Sequence, residues 1–240
     1  MKKYISFSLW GDKPVYTIGA IKNAELVSLI YPDYSMVVFH DDTVPEEILV
    51  KLIDLGVELV LVTEKNIHPS FWRFFIVDRK DCERAIFRDA DSRISKRESL
   101  AVGEWTKENK VLHVMRDHPF HQIPFGTDKL GILAGMWGIK GGYVLMQDMI
   151  CKFLDSKTNQ KYGIDQTFLE SIYKKFYDDK TVHDEFFEGN KFPIKRLKYS
   201  FVGERIDEKE QVIGEDWKHI EMHERKFQGR LQRLLLKLLR

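Results

Sequence analysis

The chain of 240 residues contains only two cysteines, Cys82 and Cys151. Two isolated thiols do not suffice for a disulfide framework or a four-cysteine zinc site, so we expect a reducing, cytoplasmic setting. An excess of charge of one sign is also missing, because 38 lysines and arginines face 37 aspartates and glutamates. The formal net charge of +1 argues against a protein that binds nucleic acid by neutralising many phosphates.

Long hydrophobic runs are absent from the start of the chain. The first apolar segment, residues 4–10, is interrupted by Gly11 and Asp12 and is too short for a secretory signal or a membrane span. The sequence also lacks internal repeats and linkers rich in proline, glycine or serine. With 43% apolar residues it can bury a substantial core, and we expect one domain with an elaborated second half.

The first 90 residues alternate strand and helix patterns. Strands are predicted at 4–9, 35–40, 57–62 and in the run that ends before Asp89, with helices at about 14–30, 45–55 and 70–77 between them. Pro45 and Gly56, for example, are the expected first-turn and closing residues of the second helix. The order βαβαβαβ predicts a mostly parallel, Rossmann-like α/β sheet with helices on both faces.

The second half is less regular. It begins with the capping-box sequence of Ser95 and Glu98, which predicts a helix over 95–107. A strand at 111–115, a segment punctuated by glycines at 131–142 and helices at 145–156 and 165–176 follow. The glycines allow either close approach of a ligand to the backbone or tight packing.

Two carboxylates one residue apart, Asp89 and Asp91, follow the fourth predicted strand. Residues i and i+2 of an extended chain point the same way, so both carboxylates can reach one ion. Ligands bind at the carboxyl edge of open α/β sheets, and carboxylate oxygens suit hard cations. The turn therefore predicts a divalent-metal site for phosphate chemistry, with a structural cluster compensated by Arg88 and Arg93 as the alternative.

Residues 4–205 resemble the metal-dependent nucleotide-sugar glycosyltransferases of the GT-A fold, in particular short enzymes of bacteria and large DNA viruses. Four segments carry the resemblance, namely 87–93, 115–118, 135–138 and 162–166. The resemblance implies a single domain over residues 1–224 with a mixed, helix-flanked sheet and Mn²⁺ or Mg²⁺ as cofactor. It also implies transfer of a sugar from a UDP- or GDP-linked donor to a glycan or lipid-linked acceptor.

The same resemblance implies the metal ligands. Asp91 would coordinate the ion directly, and Asp89 would bind the same ion or hold the ribose hydroxyls. His183 is the candidate third ligand, with a purely structural histidine as the alternative. His219 and His223 are poorer candidates because they lie beyond the matched region.

Donor-binding residues follow from the resemblance as well. The loop after the first strand borders the nucleotide, and Trp10 either stacks on the base or is an ordinary buried tryptophan. Arg73 lies in an aromatic segment and either faces the diphosphate or reaches solvent. The full set of donor-binding candidates is Ser8, Leu9, Trp10, Arg73, Arg88, Asp89, Ala90, Asp91, Arg116, Asp117 and His118.

Asp165 and Gln166 are the predicted catalytic residues. In retaining enzymes of the family an Asp-Gln pair in this region faces the reacting sugar carbon. Asp165 would act either as the base of an inverting displacement or as an acceptor-positioning acid beside Gln166 in a retaining one, and we favour retention slightly. A helix cap is the structural alternative for Asp165.

The C-terminal segment, residues 225–240, has leucines at helical spacing with lysines and arginines between them. This pattern predicts a basic amphipathic helix. The helix would dock on its own domain, associate with another copy, or contact anionic lipids at the inner face of a membrane.

Two other functions compete with glycosyl transfer. Phosphatases of the haloacid-dehalogenase type also end a strand in D-x-D and bind magnesium. Their motif normally follows the first strand of the core and favours Thr or Val where this chain has Arg93. A non-catalytic sugar-binding module on the same fold is the second alternative.

Overall fold

A seven-stranded sheet forms the centre of the computed structural model, which describes residues 1–64, 66–121, 131–156 and 163–226. Its strands are β1 (Lys2–Leu9), β2 (Tyr34–His40), β3 (Glu58–Leu61), β4 (Cys82–Phe87), β5 (Leu112–Arg116), β6 (Trp137–Lys140) and β7 (Lys180–Asp184). Their order is β3-β2-β1-β4-β6-β5-β7. Of these strands only β6 runs antiparallel to its neighbours, β4 and β5. The predicted mixed α/β sheet in a single domain is confirmed.

Helices cover both faces of the sheet. They are α1 (Pro14–Ile30), α2 (Glu46–Asp54), α3 (Lys96–Glu108), α4 (Met146–Asp155) and α5 (Ile164–Lys175). The predicted aromatic helix between β3 and β4 is a 3-10 helix, Pro69–Asp78, rather than an α-helix. Every residue from Phe71 to Val77 is buried in it. This burial on all sides explains why the segment lacks the one-sided pattern of a surface helix.

Alternate residues of the central strands pack on opposite faces. Tyr4 and Ala85 belong to a core shared with the 3-10 helix, α4 and α5. Ile5 and Ile86 belong to a second core shared with α1, α2 and α3. Strands that are buried on both faces read as continuous apolar runs, which is why the sequence locates them well.

Arg88, a predicted donor-binding residue, is a buried structural anchor instead. Its Nε donates to Glu98 Oε1 over 2.8 Å, and its Nη1 donates to the carbonyl of Phe87 over 2.6 Å. Glu98 also accepts a hydrogen bond of 3.0 Å from the hydroxyl of Tyr31. The predicted cap of α3 is present, since Ser95 accepts from the backbone N–H of Glu98. The glutamate side chain, however, pairs with Arg88 and ties the end of β4 to the start of α3.

The C-terminal segment lies largely outside the described residues. Residues 217–226 are helical, whereas 227–240 of the predicted amphipathic helix fall beyond the described range. The membrane contact predicted for this segment stays a prediction. In the described part of the chain, no helix has both the length and the hydropathy that crossing a membrane requires.

We expect Glu98→Gln to lower the free energy of unfolding by about 3 kcal/mol, because it leaves the buried guanidinium of Arg88 without a counter-charge. Tyr31→Phe removes only a hydrogen bond to the same carboxylate and should cost about 1.5 kcal/mol. Urea unfolding followed by circular dichroism measures both variants. Equal losses in the two would contradict an essential ion pair.

Candidate active site

A cavity of about 350 Å³ opens at the carboxyl edge of β1 and β4. It brings together most of the predicted site residues, although they come from distant parts of the chain. Those that line it are Ser8, Leu9, Trp10, Arg73, Asp89, Ala90, Asp91, Asp165 and Gln166. The carboxyl edge of the parallel part of the sheet is thus the candidate site.

The two acids of the D-x-D sequence lie in a tight turn after β4. The N–H and the hydroxyl of Ser92 donate to the carbonyl of Asp89 over 3.3 and 3.0 Å. The side chain of Asp89 is 49% exposed and that of Asp91 only 15%. Burial and the nearby charge of Asp89 raise the pKa of Asp91, while Arg205 opposes the shift. The two carboxylates therefore repel each other within one cavity, which favours a bound cation.

Arg73 connects the D-x-D turn with α5. Its buried guanidinium donates from Nη1 to Asp89 Oδ1 and from Nη2 to Asp165 Oδ2, the latter over 3.2 Å. The same Nη1 also donates to the carbonyl of Arg88 over 3.0 Å. The alternative in which Arg73 reaches solvent is wrong, because only 6% of its side chain is exposed.

Two serines of β1 hold the segment that carries Arg73. Ser8 Oγ accepts from the backbone N–H of Arg73 over 2.9 Å, and Ser6 Oγ donates to its carbonyl over 2.7 Å. Ser6 and Ser8 lie on the same face of β1, the face that packs on the 3-10 helix. Ser8 therefore lines the cavity and also fixes the position of Arg73.

Gly135 makes room for the carboxylate of Asp89. A Cβ atom at this position would lie 2.0 Å from Asp89 Oδ2. Gly138, next along the same segment, would place a Cβ 2.9 Å from the carbonyl oxygen of Ala85. These glycines therefore serve tight packing, one of the two alternatives that the sequence leaves open.

Asp165 and Gln166 stand at the start of α5. Gly163, with a φ of +83°, is the N-cap, so Asp165 is not the capping residue. Both carboxylate oxygens of Asp165 are engaged, Oδ2 by Arg73 and Oδ1 by the N–H of Gln166 over 3.0 Å. Gln166 Oε1 is buried and has no hydrogen-bond partner among the described residues. A buried acceptor of this kind at a cavity wall suits a donor group of a ligand.

An aromatic group forms the mouth of the cavity beside β1. Trp10 is 42% exposed and lies nearly parallel to Tyr16, with the ring centroids 6.5 Å apart. Its edge meets His68, with the ring centroids 6.2 Å apart. Burial lowers the pKa of His68, which keeps this ring neutral near pH 7. The alternative of an ordinary buried Trp10 is wrong.

Arg116, Asp117 and His118 lie outside this cavity, contrary to the prediction. In the sequence β5 comes directly after α3, the helix that follows the D-x-D turn. In the sheet, however, the antiparallel strand β6 separates β5 from β4. The end of β5 is therefore one strand further away than a simple parallel order implies. Each of the three residues has structural partners instead.

Arg116 is fully buried and holds the chain that leads into the cavity wall. Its Nη1 contacts Asp184 Oδ2 over 3.2 Å and Glu188 Oε1 over 2.9 Å. Its Nη2 donates to the carbonyl of Gly131 over 2.7 Å. The wall residues Leu133 to Met136 begin two positions after Gly131. Arg116 thus supports the site without lining it.

Asp117 and His118 fix the segment that approaches the cavity from the C-terminal side. Asp117 accepts from Arg97 Nε over 2.8 Å, from Arg196 Nη2 over 2.8 Å and from the N–H of Val202 over 3.0 Å. The Nδ1 of His118 accepts a hydrogen bond from the backbone N–H of Phe120. The proton of the neutral ring is therefore on Nε2, which donates to the carbonyl of Asp216 over 2.9 Å.

His183 is not at the D-x-D turn, so its assignment as third metal ligand is wrong. It lies fully buried on β7, next to β5. Its Nδ1 is 2.9 Å from His113 Nε2, and its Nε2 is 2.9 Å from Glu104 Oε2. His219 and His223 pack instead against Phe120 and Phe186, with ring centroids 4.3 and 4.9 Å apart.

Several cavity residues escaped the sequence analysis. His121 accepts a hydrogen bond of 3.1 Å from the N–H of Asp117 at Nδ1, and burial lowers its pKa to about 3. Arg205 reaches Asp91 from far along the chain. Tyr16 carried a usable signal, since it lies in the first turn of α1, directly after the first βα connection, where ligands of such sheets bind. Arg205 carried none.

Comparisons with known proteins bear on the fold. No protein-family model matches the sequence, and no curated protein matches it either. The galactosyltransferase LgtC, solved with donor and acceptor sugar analogues, superposes with a TM-score of 0.51 and 14% identity, covering 76% of this chain and 73% of that chain. Residues 1–349 of TarS from S. aureus give a TM-score of 0.52 and 14% identity, covering 77% and 58%. The chain has the GT-A fold.

GT-A glycosyltransferases commonly use a divalent metal ion. Asp89 and Asp91 offer hard oxygen ligands at one cavity, and Gly135 leaves room for the Asp89 carboxylate itself. In residues 1–64, 66–121, 131–156 and 163–226, no three His, Cys, Asp or Glu side chains gather as a metal site. Magnesium-type ions are often held by one or two carboxylates plus substrate phosphates. The residues therefore fit an ion that binds together with a phosphorylated ligand.

If Asp89 is a metal ligand, we expect Gly135→Ala to weaken Mn²⁺ binding by about 10-fold or more, because the added Cβ would displace the Asp89 carboxylate. Gly103→Ala is the control, since a Cβ at this helical position meets nothing within 4 Å. Electron paramagnetic resonance of free and bound Mn²⁺ measures both affinities. Unchanged affinity in Gly135→Ala, with the fold intact, would rule out Asp89 as a ligand.

Proposed function

We propose that this protein transfers a sugar from a UDP- or GDP-linked donor to a hydroxyl of a glycan or lipid-linked acceptor, with Mn²⁺ or Mg²⁺ as cofactor and with retention of configuration. One observation carries the proposal. In a single cavity, Arg73 joins Asp89 of the D-x-D turn to Asp165 at the start of α5. In this arrangement the diphosphate of the donor would lie near Asp89, and the sugar would lie near Asp165. The side chain of Arg73 spans the distance between the two acids.

The aromatic mouth supports binding of a nucleoside. Trp10 and Tyr16 offer exposed, nearly parallel ring faces beside the end of β1. Flat aromatic surfaces stack on any nucleobase, and this gives affinity without selecting one base. We assign the base of the donor to this end of the cavity.

Asp89 and Asp91 would hold the metal ion next to the diphosphate. When bound, the ion acts as a Lewis acid that stabilises the charge of the leaving nucleoside diphosphate. Arg73 faces the same region with a permanent positive charge, held in place by Ser8 and by both neighbouring acids. Because the guanidinium is buried and fixed in advance, it can stabilise developing negative charge without reorganising.

Asp165 and Gln166 support the assignment of the sugar side. Both oxygens of Asp165 already accept hydrogen bonds, so this carboxylate is better suited to orienting groups than to removing a proton. Gln166 Oε1 is buried at the cavity and could accept from a sugar hydroxyl. These features favour a retaining reaction over an inverting one that uses Asp165 as base.

We expect slow hydrolysis of one UDP- or GDP-sugar in the presence of Mn²⁺, and loss of this activity on chelation. A panel of both classes of donor, analysed by chromatography of the released nucleotide, tests it. Asp91→Asn should reduce turnover by on the order of 100-fold, because it removes a charged metal ligand. Asp54→Asn, at the exposed end of α2, is the matched control and should leave turnover unchanged.

The same assays distinguish the alternatives. Release of phosphate from an aryl phosphate would indicate a phosphatase, and sugar binding without turnover would indicate a binding module. If calorimetry detects neither nucleotide binding nor hydrolysis across the panel, the proposed function is wrong.

We expect Trp10→Ala to weaken binding of UDP or GDP by about 10-fold or more, as loss of a base-stacking ring does in other nucleotide sites. Trp10→Phe should retain most of the affinity. Tyr143→Ala is the control, because Tyr143 is 47% exposed but lies outside this cavity. Isothermal titration calorimetry at saturating Mn²⁺ measures all three. Equal affinities would remove Trp10 from the nucleotide site.

A further inference from the structure

A C-terminal strap, defined here as residues 203–213, crosses the D-x-D turn. From this strap Arg205 places its Nε 3.3 Å from Asp91 Oδ2, and both side chains line the cavity. The contact joins residues that are 114 positions apart. Asp91 thus has a positively charged neighbour at the position where a metal ion would bind.

The backbone of the strap is attached to the turn beside this contact and is closed on itself. The N–H of Ile206 donates to the carbonyl of Asp91 over 2.7 Å, and Ser92 and Arg205 form an antiparallel bridge. The N–H of Ile213 donates to the carbonyl of Arg205 over 2.8 Å. The Cα of Arg205 is therefore fixed beside the turn, and any movement of the guanidinium comes from the side chain alone.

Arg205 and Arg73 hold their acids in different ways. Arg73 is 6% exposed and donates to two acids and a carbonyl, so it cannot leave Asp89 without losing other bonds. The side chain of Arg205 is 57% exposed. Asp91 is the one hydrogen-bond partner of its guanidinium within the described residues. An ion pair with one exposed partner and a single contact is weak and readily exchanged.

We propose that Arg205 is the counterion of Asp91 in the metal-free protein and a donor-binding residue in the loaded one. When a divalent cation binds Asp91, the guanidinium leaves the carboxylate and pairs with the donor diphosphate. This inference rests on the proposed function. A cation at Asp91 repels Arg205, whereas a diphosphate beside the cation attracts it, and the planar guanidinium matches phosphate oxygens well.

Two opposite effects follow for a variant without this charge. Metal binding in the absence of nucleotide becomes tighter, because no guanidinium competes for Asp91. Binding of a nucleoside diphosphate at saturating metal becomes weaker, because one cationic partner of the phosphates is lost. A residue that merely supported the fold would weaken both or neither.

The test compares wild type with Arg205→Gln. Electron paramagnetic resonance with Mn²⁺ alone should show about 2- to 5-fold tighter binding in the variant, the range expected when an exposed competing ion pair is removed. Calorimetry with UDP and GDP at saturating Mn²⁺ should show about 10-fold weaker binding, the loss expected for a charge-assisted hydrogen bond to phosphate. Arg205→Lys should lie between the two proteins in the nucleotide measurement.

Lys209→Gln is the matched control. It removes the same charge from the same exposed strap, but Lys209 lies at the turn of the strap and is not part of the cavity. Unchanged or weaker Mn²⁺ binding in Arg205→Gln, or equal behaviour of the two glutamine variants, would overturn the proposal.

The measurements also separate this inference from the proposed function. A wild-type protein that binds Mn²⁺ but neither nucleotide overturns the transferase function and the diphosphate role of Arg205. The Mn²⁺ measurement then still decides whether Arg205 is the counterion of Asp91. A wild-type protein that binds no Mn²⁺ overturns both.

Discussion

The buried guanidinium of Arg73, held between Asp89 and Asp165, is the interaction on which the candidate site depends. A buried positive charge is costly unless carboxylates compensate it, so loss of either carboxylate would destabilise the position of Arg73. The three side chains belong to the 3-10 helix, to the D-x-D turn after β4 and to the start of α5. The charge requirement therefore fixes three separate elements around one cavity, and the serines of β1 add a fourth.

The same principle organises the surroundings of the site. Arg88 with Glu98 and Arg116 with Asp184 are buried pairs that hold the end of β4 and the chain before the cavity wall. Asp117 likewise forms ion pairs with Arg97 and with Arg196. Arg88, Arg116, Asp117 and Asp184 follow or end a strand, as catalytic residues of such folds do. Their role is nevertheless to fix loops. They determine the shape of the cavity and do not take part in its chemistry.

This distinction also explains how far the sequence could predict the molecule. The strands and helices of the first half followed from the apolar pattern, because strands buried on both faces are continuous apolar runs. Strand β6, Trp137–Lys140, has no clear signature in the sequence, because four residues that include a glycine give little periodicity. Without β6 the place of β5 was misjudged, and the polar residues at its end were assigned to the site. Acids and arginines at a strand end look alike in sequence, whether they pair internally or face a ligand. Arg205 could not be foreseen at all, since nothing local marks a contact across 114 residues.

The net charge of the cavity relates the binding of the proposed metal ion to that of the proposed donor. Among the described lining residues, Asp89, Asp91 and Asp165 oppose Arg73 and Arg205, which leaves one negative charge in excess. The histidines change this balance little, because burial lowers the pKa of both His68 and His121 and keeps the rings neutral. A nucleoside diphosphate alone would bring more negative charge into a cavity that already has an excess. A divalent cation reverses the sign, and two carboxylates hold it best when phosphate oxygens complete its coordination. Ion and donor should therefore bind as mutually dependent ligands, with Arg205 free to change partner between them.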